Sequence, residues 1–132
     1  MTADLAPAWS AAHANDPHHG ITPTLIARAK RLYAQRRQRD RVFGSFAENF
    51  NEPAWDMLLD LFVAHGEGKQ VSVSSACLAA CVPATTGLRW VGFLVEAGMI
   101  EERVDKTDRR RRFVYLTSTA LTQMEVYLSA LD

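Results

Sequence analysis

Apolar positions change their spacing several times along this chain, and each change predicts an element. Residues 22 to about 47 keep helical spacing at Leu25, Ala29 and Leu32, and Phe43 and Phe46 resume it. Thr22 or Thr24 can cap this helix, Pro23 suits its first turn, and Gly44 is a candidate break. Between the two apolar groups, "RRQRDR" is polar all round. The stretch "PAWDMLLDLFVAH", 53 to 65, predicts a second helix between Pro53 and Gly66. Trp55, Leu58, Leu59 and Phe62 make one apolar face, and Met57 and Leu61 make another. Two such faces predict cover on both sides, one from the chain's own domain and one from a partner subunit.

Beyond the turn "GEGKQ", "VSV" at 71 to 73 predicts a short strand, and Ser74 can cap the helix that follows. "VPATT" breaks that helix and opens the next, about 84 to 97, with Gly98 at its C-terminal end. "MIEERV" and "RFVYLT" alternate apolar and polar residues around a basic loop, which predicts a β-hairpin. The final segment, capped by Thr117 or Ser118, places Leu121, Met124, Leu128 and Leu131 on one coiled-coil-like seam. The predicted fold class is mainly α with a small β-hairpin wing (α+β): a winged helix-turn-helix with flanking N- and C-terminal helices. Residues 1–21 lack periodicity and predict a flexible tail. Residues 22–50 form a basic N-terminal helix, and 51–132 the winged domain with its C-terminal helix.

Charge sharpens this picture. The net charge is zero, yet seven of the fifteen Lys and Arg lie between residues 28 and 41, and six between 103 and 112. Clustered bases in a neutral chain point to a polyanion-binding face. Within 103 to 112 the six bases meet only Asp105 and Asp108, so that loop repels itself unless an anion is near. In the 84 to 97 helix, Gly87, Trp90, Val91, Leu94 and Gly98 cluster on one side of a helical wheel, and Thr85, Arg89, Gly92 and Glu96 lie opposite. Short polar residues and one Arg near a helix N-terminus suit a major groove, where Arg bonds guanine and small apolar groups touch thymine methyls.

On these residues the chain resembles the winged helix-turn-helix regulators of the multiple-antibiotic-resistance regulator (MarR) family, from about residue 53 to 132. The most specific match is the wing, where the family shows Asp-x-x-Asp-Arg-Arg, three variable residues, then Val-x-Leu-Thr. This chain reads Asp105, Asp108, Arg109, Arg110, Val114, Leu116 and Thr117. The resemblance implies a dimeric regulator of transcription, most often a repressor, that binds double-stranded DNA, and the lack of a membrane-span or signal-peptide pattern points to the cytoplasm. Ala84, Thr85, Thr86, Leu88 and Arg89 would occupy the major-groove positions. In the wing, Lys106, Asp108, Arg109, Arg110 and Arg111 would meet DNA. Asp108 would pair with a neighbouring arginine, and Arg109 or Arg110 would enter the minor groove. Arg36, Arg37, Arg39, Arg41 and Ser74 are candidate DNA-backbone contacts. Leu25, Leu32, Leu121, Met124, Leu128 and Leu131 are candidate dimer contacts. The resemblance allows a small-molecule effector between the dimer helices and the DNA-binding lobe, and the sequence names no ligand for it. Some positions depart from the family. Pro83 stands where a capping Ser is common, Leu88 replaces Thr or Ser, and Phe93 replaces a polar residue. Gly87 replaces Val, an exchange expected to make room for Trp90.

Other chemistry is weak. There is no Gly-rich phosphate loop, metal-ligand spacing or acid–base pair, which argues against an enzyme, a metal and a cofactor. Cys77 and Cys81 read as small apolar filler rather than a redox switch, since no base adjoins them in sequence. His13, His18 and His19 lie in the tail without companion ligands. No apolar run approaches the ~20 residues of a membrane span, and the N-terminus lacks a signal-peptide pattern. The exposed Phe93 and the second face of the 53 to 65 helix keep one rival reading, a winged helix that serves as a protein-interaction or architectural module.

Overall fold

A computed structural model describes residues 21–50 and 52–131. The expected tail and its three histidines lie outside the described residues. Helix α1 spans Pro23–Phe43, with Thr22 Oγ1 accepting from the Leu25 N–H at 3.3 Å. It ends where Gly44 turns to a φ of 57°, and a 3₁₀ helix, Gly44–Phe50, carries the chain onward. The expected helix to residue 47 therefore ends at 43. A positive φ stops α-helical hydrogen bonding, and the chain tightens.

Helix α2, Pro53–Gly66, is the centre of the domain. Met57, Leu59 and Phe62 have no exposed surface, and Leu61 is buried too. Both of its apolar faces are covered by this chain's own α1, sheet and later helices. The expected partner subunit over Met57 and Leu61 is thus replaced by intramolecular packing.

Strand β1, Val71–Ser72, is followed by α3, Val73–Ala79. The cap is Ser72, whose Oγ accepts from the Ser75 N–H at 3.1 Å, and not Ser74, which is exposed on the first turn. Helix α4 covers Ala84–Glu96 and begins after Pro83, with no side-chain cap. Strands β2, Ile100–Val104, and β3, Arg112–Leu116, pair antiparallel with Ile100 opposite Leu116 and Val104 opposite Arg112. The expected two-stranded wing gains a third strand: β1 pairs with β3, giving the order β1-β3-β2. The added pairing buries Val71, and β3 becomes a central strand with Phe113 to Leu116 all buried.

Helix α5, Ser118–Ser129, is capped by Thr117. The Thr117 hydroxyl accepts from the Ala120 N–H at 3.1 Å and donates to the Gly98 carbonyl at 2.8 Å, locking the α5 start to the exit of α4. Leu121, Met124 and Leu128 are buried in the core of the protomer, as is Leu25 on α1. These four side chains are core residues rather than the expected dimer contacts. Leu32 and Leu131 are half-buried at the core's edge. At the far end of α5, the Arg28 guanidinium donates to the Leu128 carbonyl at 2.8 Å. Among the described residues, no single helix is long and apolar enough to cross a membrane.

Candidate nucleic-acid interface

Helix α4 buries Gly87, Val91 and Leu94 and half-buries Trp90. Its outward face begins with Ala84 and Thr85, continues through Leu88 and Arg89, and reaches Gly92 and Glu96, all exposed; Thr86 is half-buried. The major-groove candidates therefore share one end of one helix. Gly87 is required by α3, not by Trp90: a Cβ there would lie 2.7 Å from the Cys77 Cβ and 2.8 Å from its Sγ. The two helices of the helix-turn-helix cross backbone-close at this point. Between them Cys81 adopts a φ of 57°, the left-handed conformation that ends a helix. Cys77 is buried, as filler should be, but Cys81 is exposed and is part of the turn.

The wing tip is built by its two aspartates. Asp105 Oδ1 accepts from the Thr107 N–H at 2.9 Å and from its hydroxyl at 2.8 Å, which shapes the turn. Those bonds hold the Asp105 carboxyl below the ordinary carboxylate range. Asp108 receives the Arg110 guanidinium in a fork, at 3.0 and 3.1 Å, and the Arg110 N–H at 3.1 Å. The fork lowers the Asp108 pKa and raises that of Arg110. The Arg110 side chain is nevertheless 90% exposed. It is held in place and held out, a preorganised donor.

The other wing bases differ. Arg111 lies over the Phe113 ring at 4.9 Å and 3.8 Å from Asp105. Arg112 reaches Glu102 at 2.7 Å across the strands. Arg103 bonds Glu101 at 2.7 Å and covers the Tyr115 ring. Lys106 and Arg109 are exposed and make no ion pair among the described residues.

The basic stretch of α1 has an internal role that its sequence did not announce. Asp56, 1% exposed on α2, takes ion pairs from Arg36 and, at 3.1 Å, from Arg37. Arg37 also reaches Asp40 at 3.0 Å and lies over the Tyr33 ring. Burial depresses the Arg37 pKa, but Tyr33 and Asp56 more than reverse this and hold it above its ordinary value. Tyr33 and Arg37 each donate to the Ala79 carbonyl at the end of α3, at 2.6 and 3.4 Å. The expectation that Arg36 and Arg37 contact phosphate is corrected, because both guanidiniums clamp α1 to α2. Arg41 is exposed and donates to Gln38 at 2.6 Å, and Arg39 is half-buried. The signal for the clamp was Asp56 itself, an acid among the apolar faces of α2.

An open cavity of about 450 Å³ lies where α2 and α5 meet the exit of α4. Trp55 and Tyr127 line it with perpendicular rings 5.4 Å apart, Met99 and Met124 add sulfur, and Glu52 contributes an acid. No group of three or more metal-binding side chains occurs among the described residues.

These elements define a winged helix-turn-helix with flanking helices. The same architecture occurs in Staphylococcus aureus MepR in its DNA-binding conformation: TM-score 0.54, 18% identity, 73% of this chain and 67% of that one. MepR bound to ethidium bromide aligns over 76% of this chain and 69% of that one, with a TM-score of 0.51 and 18% identity. The Streptococcus agalactiae heme sensor PefR in complex with heme gives a TM-score of 0.50 and 19% identity, over 76% of this chain and 72% of that one. No family model matches the sequence, and no curated protein matches it. The chain therefore has the fold of the MarR-like winged-helix regulators.

Proposed function

We propose that this chain is a sequence-specific double-stranded-DNA-binding regulator of transcription, acting as a repressor and as a homodimer. The observation that carries the reading is Arg110, fixed by the Asp108 fork while 90% exposed at the wing tip. A guanidinium already ordered loses little freedom on entering a minor groove. Arg110 is therefore the inserting arginine, and Arg109, with Lys106, serves adjacent phosphates. Thr85, Leu88 and Arg89 at the exposed start of α4 read the major groove. In a dimer the two α4 helices read half-sites about one helical turn apart, ~34 Å. Exposed Val126 and Tyr127 on α5 and Val42 on α1 are among the apolar groups open to a second copy. A small effector would occupy the cavity beside Trp55 and Tyr127; MepR and PefR have each been solved with a small ligand bound.

The test is selection of binding sites from random duplex DNA, followed by anisotropy titrations at several salt concentrations. Arg109→Ala should weaken all duplexes and reduce the salt slope by about 0.9, one phosphate contact. Arg110→Ala should also flatten the preference for A·T pairs flanking the half-site. No enriched site, or an unchanged flank preference in Arg110→Ala, refutes the reading. A second reading, a protein-interaction module, is favoured by Leu78 and Phe93, 77% and 58% exposed. It predicts stoichiometric capture of a protein that Phe93→Ser abolishes, without enrichment of any DNA site.

A further inference from the structure

Gly92 occupies the middle of α4's outward face, and nothing among the described residues explains a glycine there. A Cβ at this position would meet no atom within 4 Å. Its φ lies outside the left-handed region, unlike Gly44, Gly68 and Gly98, and no neighbour crowds it, unlike Gly66 and Gly87. It is thus the one described glycine with neither a conformational nor a steric reason internal to the fold. Glycine in a helix interior disfavours folding roughly fivefold relative to alanine. A residue that weakens its own helix with no internal return points to an external surface. The surroundings describe that surface. One turn earlier Leu88 stands 54% exposed, and beside Gly92 the Phe93 ring stands 58% exposed, propped edge-on by Trp90 at 5.4 Å. Arg89 shares the face. The result is a patch of bare backbone at Gly92 with Leu88 and Arg89 one turn away on the same face, while the Phe93 ring leans toward Trp90.

We propose that Gly92 is a positioning residue that sets how deeply α4 seats in the DNA major groove, with a base edge carrying a thymine methyl against its bare backbone and Leu88. This rests on the DNA-binding reading above. A thymine methyl would lie against Leu88 over the bare backbone, while Arg89 remains within reach of the adjacent base pair. A Cβ would cover the bare backbone and lift the helix by about the length of one carbon–carbon bond, ~1.5 Å. That displacement removes direct base contacts but leaves the long, flexible Lys106 and Arg109 on their phosphates.

The experiment uses the full chain, the duplex enriched from random DNA, and a scrambled duplex of equal length. Gly92→Ala should raise Tm by roughly 3–5 °C, because helix propensity improves and no clash arises. The same variant should bind the enriched duplex about tenfold more weakly, and Gly92→Leu more weakly still. Binding to the scrambled duplex and its salt slope should stay within twofold of wild type. A second selection with Gly92→Ala should lose thymine at one position of each half-site. Wild-type affinity of both variants for the enriched duplex overturns the proposal, as does a fall in Tm for Gly92→Ala. If the unaltered chain enriches no duplex at all, the DNA-binding reading fails and takes this one with it; equal binding by wild type and variants sinks this one alone.

Discussion

Replacing Asp56 by alanine tests whether the clamp between α1 and α2 is as dry as its burial indicates. Asp56 is 1% exposed and its carboxylate meets Arg36 and Arg37, whose side chains are 11% and 18% exposed. Removing one partner of a buried ion pair destabilises by about 3–5 kcal/mol, since the remaining charge is left without compensation. Here two guanidiniums would be left, but each keeps a second acid. Glu52 lies 3.7 Å from Arg36 and Asp40 lies 3.0 Å from Arg37. The expected loss is therefore at the low end, about 3 kcal/mol, a large part of the ~5–15 kcal/mol that holds a domain together. Urea denaturation with a common m-value measures it. Asp56→Asn, which keeps one acceptor oxygen, should lose less. The destabilisation should persist from low to high salt, because screening acts weakly on pairs that water does not reach. A loss under about 1 kcal/mol, or one that vanishes at high salt, would mean that water reaches the carboxylate. The clamp would then be an ordinary surface cluster.

Two shorter predictions follow from the same physics. Gly87→Val should destabilise by at least about 2 kcal/mol and abolish DNA binding, because its Cβ would overlap Cys77 2.7 Å away; a circular-dichroism melt equal to wild type refutes the close crossing of α3 and α4. Asp60 on α2 is pushed above the ordinary carboxylate range by burial, so the folded chain holds its proton more tightly than the unfolded one. Folding is therefore penalised above that raised pKa, and the penalty fades as pH falls toward the unfolded value, ~3.9. Asp60→Asn should be the more stable protein at pH 7, with the gain shrinking toward pH 4, and a pH-independent difference refutes the cause.

What the sequence could carry was local. The α3–turn–α4 unit and the β2–β3 hairpin follow from spacing and turn residues, and the family resemblance implies that Asp108 pairs with a neighbouring arginine, which is Arg110. Two kinds of feature escaped. One was pairing at a distance, since nothing local says that Arg36 meets an acid twenty positions away on another helix rather than phosphate. The other was strand order, since "VSV" marks a short strand but nothing local says that it pairs with β3. Even the cap shifted two residues, because Ser72 and Ser74 offer the same hydroxyl and only the path of β1 decides which stands at the helix start.

The dimer seam shows why burial has to arbitrate. Leu121, Met124 and Leu128 repeat as a coiled-coil seam would, and the same repeat serves a helix packed inside one domain. Leu128 has no exposed surface, so a second copy cannot reach it without unfolding the protomer. The other side of α5, where Val126 is 61% and Tyr127 49% exposed, falls off the seam pattern and stays open. Tyr127 also forms the cavity wall with Trp55. A subunit docked there would cover the cavity's rim, so effector binding and dimer geometry would act on the same residue. That coupling would give the proposed regulator a physical route from ligand to half-site spacing, since in such a dimer the spacing of two α4 helices would depend on how the α5 faces meet.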